Sequence, residues 1–380
     1  MKKIILVFLS LCVAAAVFVS CTNEPQTENV PAVNQETEPD FQESTDGQEN
    51  LPENTGEPEQ LPEQLPEETV PLYVNPLTGL ETQKDLTGIR PVAVMINNIH
   101  LALPQIGISE ADIVYEILEE GGITRLLAIY NDYGSIPEIG SIRSARDYYI
   151  DISDAHDAIF VHSGGSTYAY SELAKRNTQN IDGIYMNQFY RSAERRKTMA
   201  KEHTLMISGE GLSEAIAQKG YRTTTESACP LVFGQTEIKQ DAKSASFIEI
   251  PFSLGKNSDP YAVSFFNYND ETGEYLKGHF EKEHIDGDDN SQLSFTNVLT
   301  LSCPSNMIKG DPYGCIQVHF TGTGKGTYAS GGVMREIVWK RSSRSSSYTL
   351  YESDGQTPLV ITPGKSYIAV VPTGTVITAE

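Results

Sequence analysis

The stretch ADIVYEILEEGGITRLLAIY, residues 111–130, decides the fold. Within it IVYEILEE (113–120) alternates as a strand does, Gly121-Gly122 breaks it, and ITRLLAIY (123–130) resumes the pattern. Two apolar runs about a Gly-Gly break predict a hairpin or a tightly linked strand pair. Upstream, PVAVMI (91–96) is a short apolar run closed by Asn97-Asn98, in the manner of a buried strand running into a turn.

Downstream the period changes. In IGSIRSARDYY (139–149) Ser141 is a candidate N-cap, and Ala145, Tyr149 and Ile152 recur at helical spacing, which predicts a helix from about Ile142 to about His156. AIFVHS (158–163) reads as a strand, TYAYSELAKR (167–176) as a helix capped by Ser166, IYMN (184–187) as a short strand, and GEGLSEAIAQKG (209–220) as a helix closed by Gly220. Alternating strands and helices predict an α/β domain over residues 72–228. Beyond Cys229 short β-type runs (AVSFFNY, YLKGHF, LSFTNVLTL, CIQVHF, GVMREIVWK, SYTLY, SYIAVV) are separated by Gly, Asp and Pro. They predict a mostly antiparallel β domain over residues 229–380.

The first 21 residues have Lys2 and Lys3, an apolar run from Ile4, and Ser20-Cys21, the layout of a secretory signal. The end resembles a bacterial lipobox, which implies lipidation of Cys21 and a mature chain anchored on the outer face of the cytoplasmic membrane. Residues 22–71 lack Lys and Arg and are rich in Glu, Pro, Gln and Asn. Such a segment buries too little apolar surface to offset its ordering entropy, so it reads as an extended, acidic tether.

The 380 residues hold 28 Lys plus Arg against 51 Asp plus Glu, a net charge of -23. That balance argues against nucleic acid as a partner, which needs clustered cations. Cys303 and Cys315 flank a Pro/Asn/Gly-rich turn, where they are as well suited to a disulfide across a hairpin as to remaining two buried thiols.

Arg143 and Arg146, at i and i+3 on the predicted helix, would share a face in its first turn. Two guanidiniums beside free helix N–H groups suit an anion. Pairing with Glu138, Asp147 or Asp151 is the internal alternative. Glu119 and Glu120 adjoin Gly121-Gly122 and Arg125. On one strand they would point to opposite faces, so their expected use is a salt bridge to Arg143 or Arg146. His162 and the Gly164-Gly165 turn end a strand, where α/β sheets bind ligands. His203, in MAKEHTLMIS, follows the basic run RSAERRK. TGTGKGT (321–327) has Gly326 where a phosphate loop needs Ser or Thr, and DGDDNS (286–291) lacks the glycine and closing glutamate of a calcium loop. No cofactor or metal is expected.

The motifs RPVAVMINN (90–98), ADIVYEILEEGGITRLLAIY, IGSIRSAR (139–146) and DAIFVHSGGS (157–166), with GHFEKEHIDGDDNSQLSFTNVL, GTGKGTYASGGVMREIVWKR and PGKSYIAVVP, resemble the YerB-like lipoproteins. The resemblance implies a two-domain, membrane-tethered lipoprotein with an α/β N-terminal domain, in a family of unknown function. Arg143, Ser144 and Arg146 match its Arg-Ser-Ala-Arg element, and His162, Gly164 and Gly165 its His-x-Gly-Gly turn. Glu119, Gly121, Gly122, Thr124 and Arg125 match its Glu-Gly-Gly-Ile-Thr-Arg element. His203 stands where the family shows Pro-His-Asn, here between Glu202 and Thr204.

The first reading is a non-enzymatic envelope protein that binds an anionic ligand, a wall fragment or a segment of an envelope protein. Arg143, Arg146, Ser144, Arg125, Glu119, His162, Gly164, Gly165 and Asn97 would line its pocket, with His203 and Glu120 as further candidates. Two others stand beside it: a wall-polymer hydrolase using His162 or His203 with Glu119 or Glu120, and a purely structural protein whose function lies on the β-domain surface.

Overall fold

The hairpin forms as the sequence predicts. With β1 (Val92–Asn97) it sets β2 (Ile113–Leu118) against β3 (Thr124–Tyr130), antiparallel, from Ile113↔Ile129 to Leu118↔Thr124. Gly121 and Gly122 turn the chain with φ of 73° and 78°, a region glycine enters without steric cost. Every residue of these three strands is buried, so the apparent alternation in IVYEILEE does not separate core from solvent. Both faces of the sheet are covered. Tyr115 reaches His156 and Tyr348 on one side, while Glu116, pointing the other way, meets Ser264 and Tyr367. The described residues are 72–236, 242–254 and 262–380 of a computed structural model. The expected signal, Cys21 and tether lie outside them.

The helix predicted from Ile142 starts later, as α1 (Asp147–Ala155), with Arg146 rather than Ser141 at its N-cap. Neighbouring strands hold residues 142–146 extended. Arg143 N–H donates to Met95 O and Ala145 N–H to Gly164 O, so these backbone groups are not available to a helix. The i, i+3 face for Arg143 and Arg146 therefore does not exist. α1 docks on the hairpin: Tyr148 Oη donates to Leu118 O at 3.1 Å, and Tyr149 Oη to Arg125 O at 3.0 Å.

β4 (Ile159–His162), α2 (Thr167–Arg176), β5 (Asn180–Asp182) and α3 (Gly209–Lys219) complete the N-terminal part. Ser166 caps α2, its Oγ accepting from Ala169 N at 3.1 Å, and Gly220 closes α3 at φ 64°. The strand expected at residues 184–187 lies at 180–182 instead. Asp182 Oδ1 accepts from Ile184 N, turning the chain there and leaving Ile184 and Tyr185 exposed.

The second part contributes β6 (Phe247–Phe252), β7 (Ala262–Asn269), β8 (Glu274–His279), β9 (Asn297–Cys303), β10 (Gly322–Ser330), β11 (Val333–Arg341), β12 (Tyr348–Glu352) and β13 (Ser366–Pro372). These strands are mostly antiparallel, as expected. β6, β7 and β8 make a smaller sheet. The glycine-rich TGTGKGT lies mostly in β10, and its glycines admit close neighbours. A Cβ on Gly324 would stand 2.5 Å from the Trp339 indole, and one on Gly326 2.1 Å from Thr300 O.

β13 joins the two parts. It runs parallel to β9 on one side and to β2 on the other, so β11, β10, β9, β13, β2, β3, β1, β4 and β5 follow one another in a single sheet. DGDDNS serves the same junction. Asp286, fully buried, accepts from Gly107 N at 3.0 Å and Ser109 N at 2.8 Å, clamping an N-terminal loop.

Candidate functional site

The hairpin turn places Glu119 and Glu120 against the arginines. β2 ends at Leu118, so the two carboxylates escape strand alternation and both approach Arg146, contrary to the opposite-face expectation. Arg146 grips Glu120 with two hydrogen bonds, Nε to Oε1 at 2.6 Å and Nη2 to Oε2 at 3.0 Å. Its Nη2 also lies 3.6 Å from Glu119 Oε2. Arg125 Nη1 lies 2.9 Å from the same Glu119 oxygen and donates to Ser144 O at 2.5 Å. Asp147 and Asp151, the alternative partners, are held by Arg344, and Asp151 also by Arg176.

Glu119 is almost completely buried, and among the described residues neither oxygen accepts a well-directed hydrogen bond. Burial pushes its carboxyl up to about 7, against the pull of Arg125 and Arg146. Arg143 stands differently. Among the described residues its guanidinium makes no hydrogen bond or ion pair, and its Nε is buried without a partner. Burial and the Arg125 charge lower its pKa, while Glu119 and the exposed Glu202 act the other way.

Asn97 and His203 lie beside this cluster. Asn97 Nδ2 donates to His203 Nδ1 at 2.9 Å, which places the ring proton on Nε2. Burial lowers the His203 pKa, and the Arg143 charge pushes the same way. The C-terminal part borders the cluster through the hairpin of Ser305–Met307 with Ile316–Val318. The Cys315 thiol meets the Glu120 carboxylate, and burial with that contact pushes it up to about 12. The basis of that contact, a fold-back across more than 190 residues, leaves no mark in the sequence.

His162 does not face this site. It is fully buried, Nδ1 donating to Gly164 O at 2.8 Å and Nε2 lying 3.2 Å from Asn180 Oδ1. Its turn is pinned by Asp182, whose Oδ1 accepts from Gly164 N at 2.9 Å, and Gly165 packs on Ala145. No hydrogen bond joins a histidine to Glu119 or Glu120 among the described residues. The disulfide alternative fails as well. Cys303 and Cys315 are free, and the hairpin register sets Cys315 beside Ile308, five positions along from the place opposite Cys303. At about 3.3 Å per residue that is roughly 16 Å, more than twice the Cα reach of a disulfide.

A second cluster escaped the sequence reading. Glu116 on β2 accepts from Thr124, Asn98, Ser264 and Tyr367. Lys277 on β8 lies 3.5 Å away and donates to Ser264 Oγ at 2.9 Å and His284 Nδ1 at 3.0 Å. His284 Nε2–H passes the chain to Gln105 Oε1 at 2.7 Å. The available signal was a charged residue inside each of two apolar runs, IVYEIL and YLKGHF.

The N-terminal domain of "Protein of unknown function (DUF3048)" matches residues 77–222, and the C-terminal domain of the same family matches residues 252–368. The chain belongs to the DUF3048 family. A DUF3048 relative, "Putative lipoprotein YerB" of Bacillus subtilis (strain 168), is 32% identical over 299 residues, covering 78% of this chain and 86% of its own. The crystal structure of YerB protein from Bacillus subtilis matches with a TM-score of 0.69 at 29% identity, covering 80% of this chain and 99% of that one. The DUF3048 assignment bears out the resemblance and the two-domain fold class, and it attaches no activity to either domain.

Proposed function

We propose that this chain is a lipid-anchored, non-enzymatic binding protein on the outer face of the cytoplasmic membrane, which captures an anionic group at Arg143. The supporting observation is the asymmetry of the arginine cluster. Arg125 and Arg146 have carboxylate partners, whereas Arg143 has none among the described residues and its Nε is buried unsatisfied. A partly buried guanidinium without a counter-charge is costly, and a carboxylate or phosphate would offset that cost through charge-assisted hydrogen bonds. Burial keeps Glu119 partly protonated near neutral pH, which leaves the cluster more positive than its residue count implies.

The anchor rests on the N-terminal signal with its lipobox Cys21 and on the lipoprotein name of the Bacillus relative. Two experiments test the proposal. Cys21→Ser should move the chain out of the membrane fraction, and retention there would count against the anchor. Isothermal titration of the detergent-solubilised full chain should show saturable binding of citrate, phosphate or an anionic muropeptide. Absence of binding by all three would remove the anion site.

A further inference from the structure

We propose a second binding site, for a neutral saccharide, in a cavity of about 340 Å³ on the C-terminal domain between β10, β11 and the turn after β7. Its size lies at the lower end of the roughly 300–1,000 Å³ of small-ligand pockets, which suits one or two sugar rings better than a long polymer. Among its described lining residues there is no carboxylate, and the one cation, Arg335, is neutralised. Arg335 holds Glu352 at two points, Nε–Oε2 at 3.1 Å and Nη2–Oε1 at 3.3 Å, and lies over the Tyr328 ring. Among the described residues a charged ligand would find no uncommitted counter-charge there.

What the cavity presents instead is hydroxyls. Asn297 donates through Nδ2 to Thr362 O, so its Oδ1 is an acceptor and the Tyr328 hydroxyl must donate to it, at 3.0 Å. Tyr328 therefore accepts from Thr362 N at 2.9 Å. Ser330 Oγ donates to Thr362 Oγ1 at 3.0 Å, and Thr236 Oγ1 lies 2.9 Å from that same oxygen. Ser330 Oγ is left with acceptor lone pairs that no described donor fills. Thr296, also in the lining, makes no side-chain hydrogen bond among the described residues. Unfilled hydroxyl valences beside the half-buried ring of Tyr268 match a ligand that carries many hydroxyls on an apolar frame and no charge. This site is independent of Arg143.

The test is isothermal titration of the full chain with two neutral disaccharides, N,N′-diacetylchitobiose and cellobiose. The parent should bind at least one disaccharide saturably. Ser330→Ala and Thr296→Val should each weaken that binding about tenfold while leaving the unfolding temperature within a degree or two of the parent. Arg143→Ala should bind the disaccharide as the parent does, which separates failure of this site from failure of the anion site. Absence of saturable disaccharide binding, or undiminished binding in both hydroxyl variants, would overturn the proposal.

Discussion

Lys277 Nζ lies 3.5 Å from Glu116 Oε2, with neither side chain exposed, and the contact joins a strand of the C-terminal domain to one of the N-terminal domain. Two buried charges are expensive, so the pair persists only because its remaining valences are filled. Five donors converge on the Glu116 carboxylate, counting Lys277. Burial alone would raise its pKa, but Lys277, His279 and the Tyr367 hydroxyl outweigh burial and leave it lowered. Removing one partner strands the other. Lys277→Met and Glu116→Gln should each cost about 3–5 kcal/mol. Because the pair spans both domains, denaturant unfolding should lose stability in one cooperative transition. A loss below about 1 kcal/mol, or two separated transitions, would contradict this role.

Glu119 gives the fold a pH dependence of defined sign. Its folded pKa is raised to about 7 from an ordinary 4.5, so between these values the folded state holds more proton than the unfolded one. Its contribution is fully present below about 4.5 and is lost as pH rises through about 7. The swing is on the order of 3 kcal/mol. Glu119→Gln cannot ionise, so the parent should lose stability relative to this variant as pH rises from 4.5 to 8. A difference constant over that range in chemical denaturation would contradict the raised pKa.

Arg143 and Arg146 should respond unequally to truncation. Arg146→Ala leaves Glu120 without its guanidinium and the buried Glu119 with Arg125 alone, and should cost about 3 kcal/mol or more. Arg143→Ala removes a cation that pairs with no described residue, so its cost should stay within about 1 kcal/mol. Thermal unfolding of the two variants side by side makes the comparison. A larger loss at Arg143 would make it a strut of the fold.

The cysteines should be indifferent to reductant. Cys303 and Cys315 are free and sit at opposite ends of their hairpin. Dithiothreitol should leave the unfolding temperature unchanged, and both thiols should become reactive once the chain is denatured. A fall in unfolding temperature on reduction would show a bond between them.

The sequence was most legible where local chemistry decides structure. The Gly121-Gly122 hairpin, the Ser166 cap and the Gly220 stop each rest on residues close in the chain. It was least legible where distant strands decide. Residues 142–146 carry a helical period, yet β1 and the 163–165 turn take their backbone groups. TGTGKGT looks like a loop until Trp339 and Thr300 close on its glycines. The pairing of Arg146 with Glu119 or Glu120 was anticipated, but its geometry follows from where β2 ends. Burial of Lys277 is set by Glu116, 161 positions earlier, and no local pattern encodes it.

The most direct test of the anion reading is thermal unfolding of the full chain and its Arg143→Ala variant with citrate, phosphate and anionic muropeptide. A ligand at 100 times its dissociation constant stabilises the protein by about 2.7 kcal/mol. The parent should show such a shift with at least one of these anions, and the variant, of near-parental stability without ligand, should show none. An equal shift in both proteins, or no shift in the parent, would contradict anion capture at Arg143.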